Sequence, residues 1–237
     1  MRTTRLIAGT VSAALLGLTP IAIAAPSQAA DNLTTVTTAT TDKTAVAYGD
    51  AVYISVDVQG SDGLSATDGT STLYAMEAGS SAWVPVATGT YPGSDFYPVT
   101  PSMNTSYKVV FSGYTAATAY EDTYQPSESA EIVVGVARNV TIGKAKARLT
   151  IKGKVKPDYK KSKVKIQIKK GKKYKKFKTV KTNKKSKFQV RLPAPRRGNK
   201  LYFKITVPGN EKFLAYSEVW YTSSYKAPLA RSAAERP

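Results

Sequence analysis

Lys163-Val164-Lys165-Ile166-Gln167-Ile168-Lys169 alternates polar and apolar side chains at every second position. That period belongs to a strand with one face in a core and the other in water, because successive side chains of an extended chain point to opposite sides. Working outward, Leu149, Ile151 and Val155 alternate with Arg148, Thr150, Lys152, Lys154 and Lys156. Phe188, Val190 and Leu192 repeat the pattern, as do Leu201, Phe203, Ile205 and Val207. The N-terminal half behaves alike: Val52, Ile54, Val56 and Val58 alternate with Tyr53, Ser55 and Asp57, and further strands are expected at 73–76, 83–87, 107–111 and 132–136. Turn chemistry separates them at 60–63, 79–81, 91–94 and 101–104. No stretch keeps a 3.6-residue period, so helices should be few. Short strands with antiparallel signatures point to an all-β protein with a β-sandwich in each half.

Charge divides the chain at the same place. Residues 1–30 carry 2 basic and no acidic groups, residues 31–137 carry 2 basic and 12 acidic, and residues 138–237 carry 31 basic and 4 acidic. The net values are +2, −10 and +27, and a boundary is expected near 136–140. The predicted organisation is a signal peptide at 1–30, an acidic sandwich at 31–137, a strongly basic sandwich at 138–222 and a flexible tail at 223–237. The chain has no Cys and no His, which removes disulfides, thiol nucleophiles, imidazole-ligated metals and imidazole-based dyads or triads.

The first 30 residues begin with Arg2 and Arg5, continue through an apolar run from Leu6 to Leu18 and leave through small residues at 22–30. This order predicts a secretory signal, with cleavage between Ala24 and Asp31. After Asp31 no apolar run approaches the roughly 18–20 residues that span a bilayer. The mature chain is expected to be secreted, without a transmembrane segment, and either released or held non-covalently at the cell wall.

The halves resemble each other. Tyr107-Lys108-Val109-Val110-Phe111-Ser112-Gly113 lines up with Phe203-Lys204-Ile205-Thr206-Val207-Pro208-Gly209, and Trp83-Val84-Pro85-Val86 with Tyr174-Lys175-Lys176-Phe177. Ser129-Ala130-Glu131-Ile132-Val133 is similar to Ser217-Glu218-Val219-Trp220, as in a diverged tandem repeat. Together with Val46-Ala47-Tyr48-Gly49-Asp50 and Ser127-Glu128-Ser129, these stretches resemble the bacterial Ig-like modules common in secreted actinobacterial proteins. Gly153-Lys154-Val155-Lys156-Pro157 resembles the second copy of such a module. The resemblance spans nearly all of 33–222. It implies two tandem Ig-like or fibronectin-III-like sandwiches and export, in a class of spacers, adhesive units and wall-binding accessories that share no catalytic residues. The second copy departs from the pattern in its lysine density.

Those lysines are the candidate site. On a strand, residues two apart share a face, so Lys152, Lys154 and Lys156 form one row and Lys163, Lys165 and Lys169 another. Lys176, Lys178, Lys185, Lys187 and Arg191 extend the field if their strands adjoin it. The run from Lys169 through Lys170, Lys172, Lys173, Lys175, Lys176 and Lys178 reads as a hairpin with a basic tip. Like charges facing across a sheet are destabilising, which makes sense when an anion lies opposite. The expected partner is an anionic cell-wall polymer or another extracellular polyanion, with no specific nucleic-acid sequence, because Lys is a point charge suited to diffuse attraction. The alternative is a structural or interaction module whose lysines serve solubility, guard sheet edges, or dock the acidic half within or between molecules, head to tail. Of Tyr174 and Phe177, at least one is expected in the core, in the place where Trp83 packs in the first half.

Other constellations carry less. Glu121-Asp122 is a carboxylate pair without a marked cleft, so no catalytic residues and no cofactor are assigned. Asp57, Asp62 and Asp68 match no defined calcium loop. The Thr-rich segment 34–44 reads as a solvated linker and first edge strand. An intramolecular Lys to Asn crosslink is a question for coordinates.

Overall fold

The computed structural model describes residues 30–145, 147, 149–195 and 200–223. The predicted signal segment up to residue 29, and the predicted tail from 224 onward, lie outside the described residues. Among those described there is no helix; in chain order the strands are β1 (Asn32–Leu33), β2 (Thr35–Thr41), β3 (Ala45–Ala47), β4 (Val52–Gly60), β5 (Ser71–Glu77), β6 (Val84–Thr88), β7 (Phe96–Val99), β8 (Thr105–Phe111), β9 (Thr123–Tyr124), β10 (Ser127–Glu128) and β11 (Ile132–Ala137). They are followed by β12 (Asn139–Lys144), β13 (Thr150–Lys156), β14 (Lys163–Lys170), β15 (Lys173–Lys181), β16 (Lys187–Arg191), β17 (Lys200–Val207) and β18 (Tyr216–Ser223).

Each half is a two-layer Ig-like sandwich. In the second, β12-β13-β16 lies opposite β15-β14-β17-β18. In the first, β2-β4-β7 lies opposite β6-β5-β8-β11, which β3 and β10 extend. The connectivity is the same in both: the first, second and fifth principal strands make one sheet, and the fourth, third, sixth and seventh make the other. The repeat seen in sequence falls on equivalent strands, since 107–111 and 203–207 are in β8 and β17, and 132–133 and 219–220 are in β11 and β18.

Alternation builds the cores. On β4 the burial pattern is strictly buried, exposed, buried from Val52 to Gly60. Its valines and isoleucine meet Leu73, Val109, Phe111 and Val134 of the facing sheet. In the second half Val155, Phe188 and Val190 meet Val164, Ile166, Phe203 and Ile205 across the layers. Each such side chain taken fully out of water stabilises by roughly 1.5–3 kcal/mol before chain entropy is counted. Gly153 sits at an inward position because a Cβ there would lie 2.2 Å from the Phe188 ring.

Three expectations need correction. The pairing is not purely antiparallel: β3 runs parallel to β11 and β1 parallel to β9. The chain of the first half leaves β2 at 42–44 and switches sheets, so that β3, which follows it, runs beside the last strand β11 in the same direction. Segment 34–44 supplies the expected first edge strand, β2, but it is not a linker, because Thr37 is buried and its hydroxyl meets Ser127 Oγ at 2.7 Å. Neither Tyr174 nor Phe177 enters the core; Phe177 is the extra residue of a bulge, between Lys176 opposite Gln167 and Lys178 opposite Ile166. Trp83 does not enter the core either, but lies under the Lys108 ammonium at 5.1 Å.

The two sandwiches share a junction. The loop after β17 reaches back to the first half: Leu214 N donates to Val136 O at 2.8 Å, and Asn104 N to Lys212 O at 2.9 Å. Asn104 Nδ2 donates to Glu211 O, while its Oδ1 accepts from Val136 N, both at 2.8 Å. Phe213 thereby joins the hydrophobic core of the first sandwich. Arg138, between β11 and β12, is buried with its guanidinium 4.2 Å from the Phe213 ring and 4.8 Å from the Tyr159 ring. Burial holds its pKa below the usual guanidinium value, since taking the charge out of water disfavours it. Contact with two aromatic faces supplies part of what is lost.

Candidate polyanion interface

All twelve candidate lysines are exposed, but they do not form one field. Lys152, Lys154 and Lys156 project outward from β13, in the three-stranded layer. Lys163, Lys165 and Lys169 project outward from β14, in the four-stranded layer, so the two rows cover opposite sides of the sandwich. The extension residues divide accordingly. Lys187 and Arg191, on β16, adjoin the β13 row, and Lys176, opposite Gln167 on β15, adjoins the β14 row, whereas Lys178, opposite the buried Ile166, lies on the core side of that outer strand. Lys170 faces Lys173 across the hairpin turn, with Gly171 and Lys172 at its tip. Gly171 has φ 61, the left-handed conformation needed at the first central position of such a turn.

On the three-stranded face, Lys154 stands directly opposite Lys187, and Lys152 opposite Gln189. These side chains, with Asn183 and Thr141, line an open depression of about 540 Å³. It offers ammonium and amide donors over a floor that includes Ile142 and the inward-facing Phe188, and no aromatic side chain projects outward from its strands. On the four-stranded face, Lys163 is opposite Lys181. That face also holds residues the sequence reading did not assign: Lys200, Tyr202 and Lys204 on β17 and Tyr221 on β18. The alternation of Leu201, Phe203, Ile205 and Val207 already implied that 200, 202 and 204 face outward, while β18 had no comparably clean pattern to mark Tyr221.

Charge on these faces is little neutralised. Among the described residues of the second half, one ion pair is present, Lys160 with Asp158. Glu218 is held by the Tyr216 hydroxyl and stands opposite Ile205, on the inward side of β18. In the first half, carboxylates are engaged in turns. Asp122 accepts from Asp31 N, and Glu121 accepts from Tyr114 Oη and Ala117 N, bonds that hold the Glu121 carboxyl below its usual range, the Tyr114 bond chiefly. Asp62 accepts from Leu64 N and Asp68 from Thr67 Oγ1. Among the described residues no group of three possible ligands could hold a metal ion, and no helix is long and apolar enough to cross a membrane.

No protein-family model and no curated protein matches the chain. Among solved structures, it aligns with the chicken interferon gamma receptor alpha chain at 11% identity over 79% of this chain and 97% of that one, TM-score 0.44. It aligns with a bacterial 1.5-MDa ice-binding adhesin at 11% identity over 82% and 65%, TM-score 0.26. The human OSCAR ligand-binding domain aligns at 12% identity over 81% and 100%, TM-score 0.26. The sandwich architecture itself rests on the strand order and the two cores described above.

Proposed function

We propose that this is an exported, non-catalytic binding protein whose second sandwich adheres to an anionic polymer of the cell envelope or extracellular matrix. The observation that carries the reading is that both outward faces of that sandwich present exposed lysines, with like charges directly opposed at Lys154/Lys187 and Lys163/Lys181. Opposed ammonium groups destabilise the free protein, and an anionic chain laid across them removes that repulsion while releasing its own counterions. The apolar start of the sequence supports an extracellular location.

The rival in which lysines dock the acidic half has less support within one molecule. Among the described residues, the contacts that join the halves are backbone hydrogen bonds, the Asn104 amide donating to Glu211 O, Leu214 against Gly135, Phe213 and Arg138, none of which uses the lysine rows. Edge protection accounts best for β15, an outer strand carrying Lys173, Lys175, Lys176, Lys178 and Lys181.

Binding of the full chain to purified cell walls, with and without their anionic polymers, across a salt series tests the proposal. The expected result is polymer-dependent retention that falls by orders of magnitude between about 50 and 200 mM salt. No retention at low salt overturns it.

A further inference from the structure

The two lysine faces differ in one respect: the four-stranded face interleaves its cations with exposed tyrosines. The register of β14 on β17, with Ile168 opposite Phe203, brings Lys169 alongside Tyr202, and β17 on β18 places Tyr202 directly opposite Tyr221. The two rings lie 5.9 Å apart between centroids at 48°. Lys169 Nζ is 5.4 Å from the Tyr202 ring on one side of this pair, and Lys200 Nζ is 4.6 Å from the Tyr221 ring on the other. Farther along, Lys204 Nζ is 5.1 Å from Tyr174. Tyr174, Lys169, Tyr202 and Tyr221 thus form one row across four strands, a width of about 14 Å at ordinary strand spacing.

Neither main ring is packed away, since Tyr202 is 37% and Tyr221 59% exposed. Among the described residues the outward positions of these four strands carry no carboxylate. Rings bracketed by unneutralised ammonium groups match a ligand that carries apolar faces and negative charges at short, regular intervals. A polyphosphate chain has the charges without the faces. A uronic-acid polymer has both, because each sugar ring exposes an apolar C–H face and bears a carboxylate. Tyrosine suits such a partner, with an apolar body and a hydroxyl tip that stays wet. Single-stranded nucleic acid also combines anionic charge with flat rings, but base stacking uses a ring face free to receive a parallel base. Here the two rings are tilted at 48° to each other, so bases stacked in parallel cannot lie flat on both.

We infer that the outer face of β15-β14-β17-β18 binds an acidic polysaccharide, Tyr202 and Tyr221 lying against sugar rings while Lys169, Lys200 and Lys204 pair with carboxylates. This rests on the polyanion reading and narrows it. The three-stranded face, with Lys152, Lys154 and Lys187 but no outward aromatic, takes anions by charge alone.

The test compares the full chain with the Tyr202→Ala/Tyr221→Ala double variant and the Tyr221→Ala single variant, each first shown to keep the parent's thermal midpoint to within a few degrees. The single variant serves if the double one does not fold. Three probes are titrated at rising salt: polygalacturonate, inorganic polyphosphate and a single-stranded oligothymidine. The expected result is that polygalacturonate stays bound at salt that releases polyphosphate, and that losing the rings weakens it on the order of tenfold with polyphosphate unchanged. If both polymers bind and the tyrosine variants weaken neither, or weaken both equally, the saccharide assignment falls and the polyanion reading stands. Tighter binding of oligothymidine, lost with the tyrosines, overturns the assignment in favour of a nucleic acid. Failure of every probe to bind at low salt removes both readings.

Discussion

The two sandwiches have the same strand connectivity and opposite charge. Their inward positions agree in kind, and Tyr107, Val109 and Phe111 of β8 do in the first core what Phe203, Ile205 and Val207 of β17 do in the second. Their outward positions share one device. Lys108 stands over Trp83 at 5.1 Å in the first half, and Lys204 over Tyr174 at 5.1 Å in the second, which accounts for the aromatic and lysine matches between the repeats. The difference lies in what surrounds each cation. Lys108 is paired with Glu128 at 2.7 Å, whereas opposite Lys204 on the neighbouring strand stands Val219. A sandwich tolerates this divergence because its stability resides in the inward set. The outward set is left to interactions with other molecules.

The largest expected effect breaks the comparison where the halves interpenetrate. Phe213 belongs to the second half in sequence but to the first core in space. Phe213→Ala should cost about 3–5 kcal/mol. Amide hydrogen exchange will show the loss at Val134 and Val136 of β11 before it reaches β14. Equal loss in both halves would mean that the junction makes them one cooperative unit.

Next in size is base sensitivity at one equivalent core position. Burial pushes the Tyr107 phenol up to about 12 from its ordinary 10.0, because a phenolate there would be cut off from water. Its folded pKa is above its unfolded value, so the associated stability is complete below pH 10 and is lost as pH rises through about 12. The equivalent residue in the second core, Phe203, has nothing to ionise. Thermal midpoints measured from pH 9 upward should therefore fall less in Tyr107→Phe than in the parent chain. Parallel curves would remove this account.

The smallest effect sharpens the surface contrast. Glu128→Gln leaves Lys108 without its carboxylate, making the first half more like the second. On this exposed pair the cost should be at most about 1 kcal/mol and should shrink with salt. A larger, salt-independent loss would show that the hydrogen bond, not the charge, matters there.

Much of this was legible in the sequence. The alternation through 163–169 and 52–58 placed the buried residues of β14 and β4 correctly, and the repeat matches landed on equivalent strands. What escaped were short or irregular elements. Phe96-Tyr97-Pro98-Val99 is too brief to display a period, and the bulge at Phe177 breaks one in the middle of β15, sending both aromatics of that strand out of the core. The candidate site was legible as a set of lysines, and the partition of that set was not.

The physical division is between local and long-range constraints. Side-chain parity along a strand is a property of neighbouring peptide units, so the sequence alone determined the longer regular strands, their inward faces, the two-sandwich plan and the placement of charge. Which strands lie side by side depends on pairing between residues far apart in the chain. Only the tertiary structure decided that Lys152 and Lys165 face opposite ways, that Tyr202 meets Tyr221 between two ammonium groups, and that Phe213 crosses into the other half's core. Those contacts form when separate strands and loops are brought together, and no periodicity within any one of them records it.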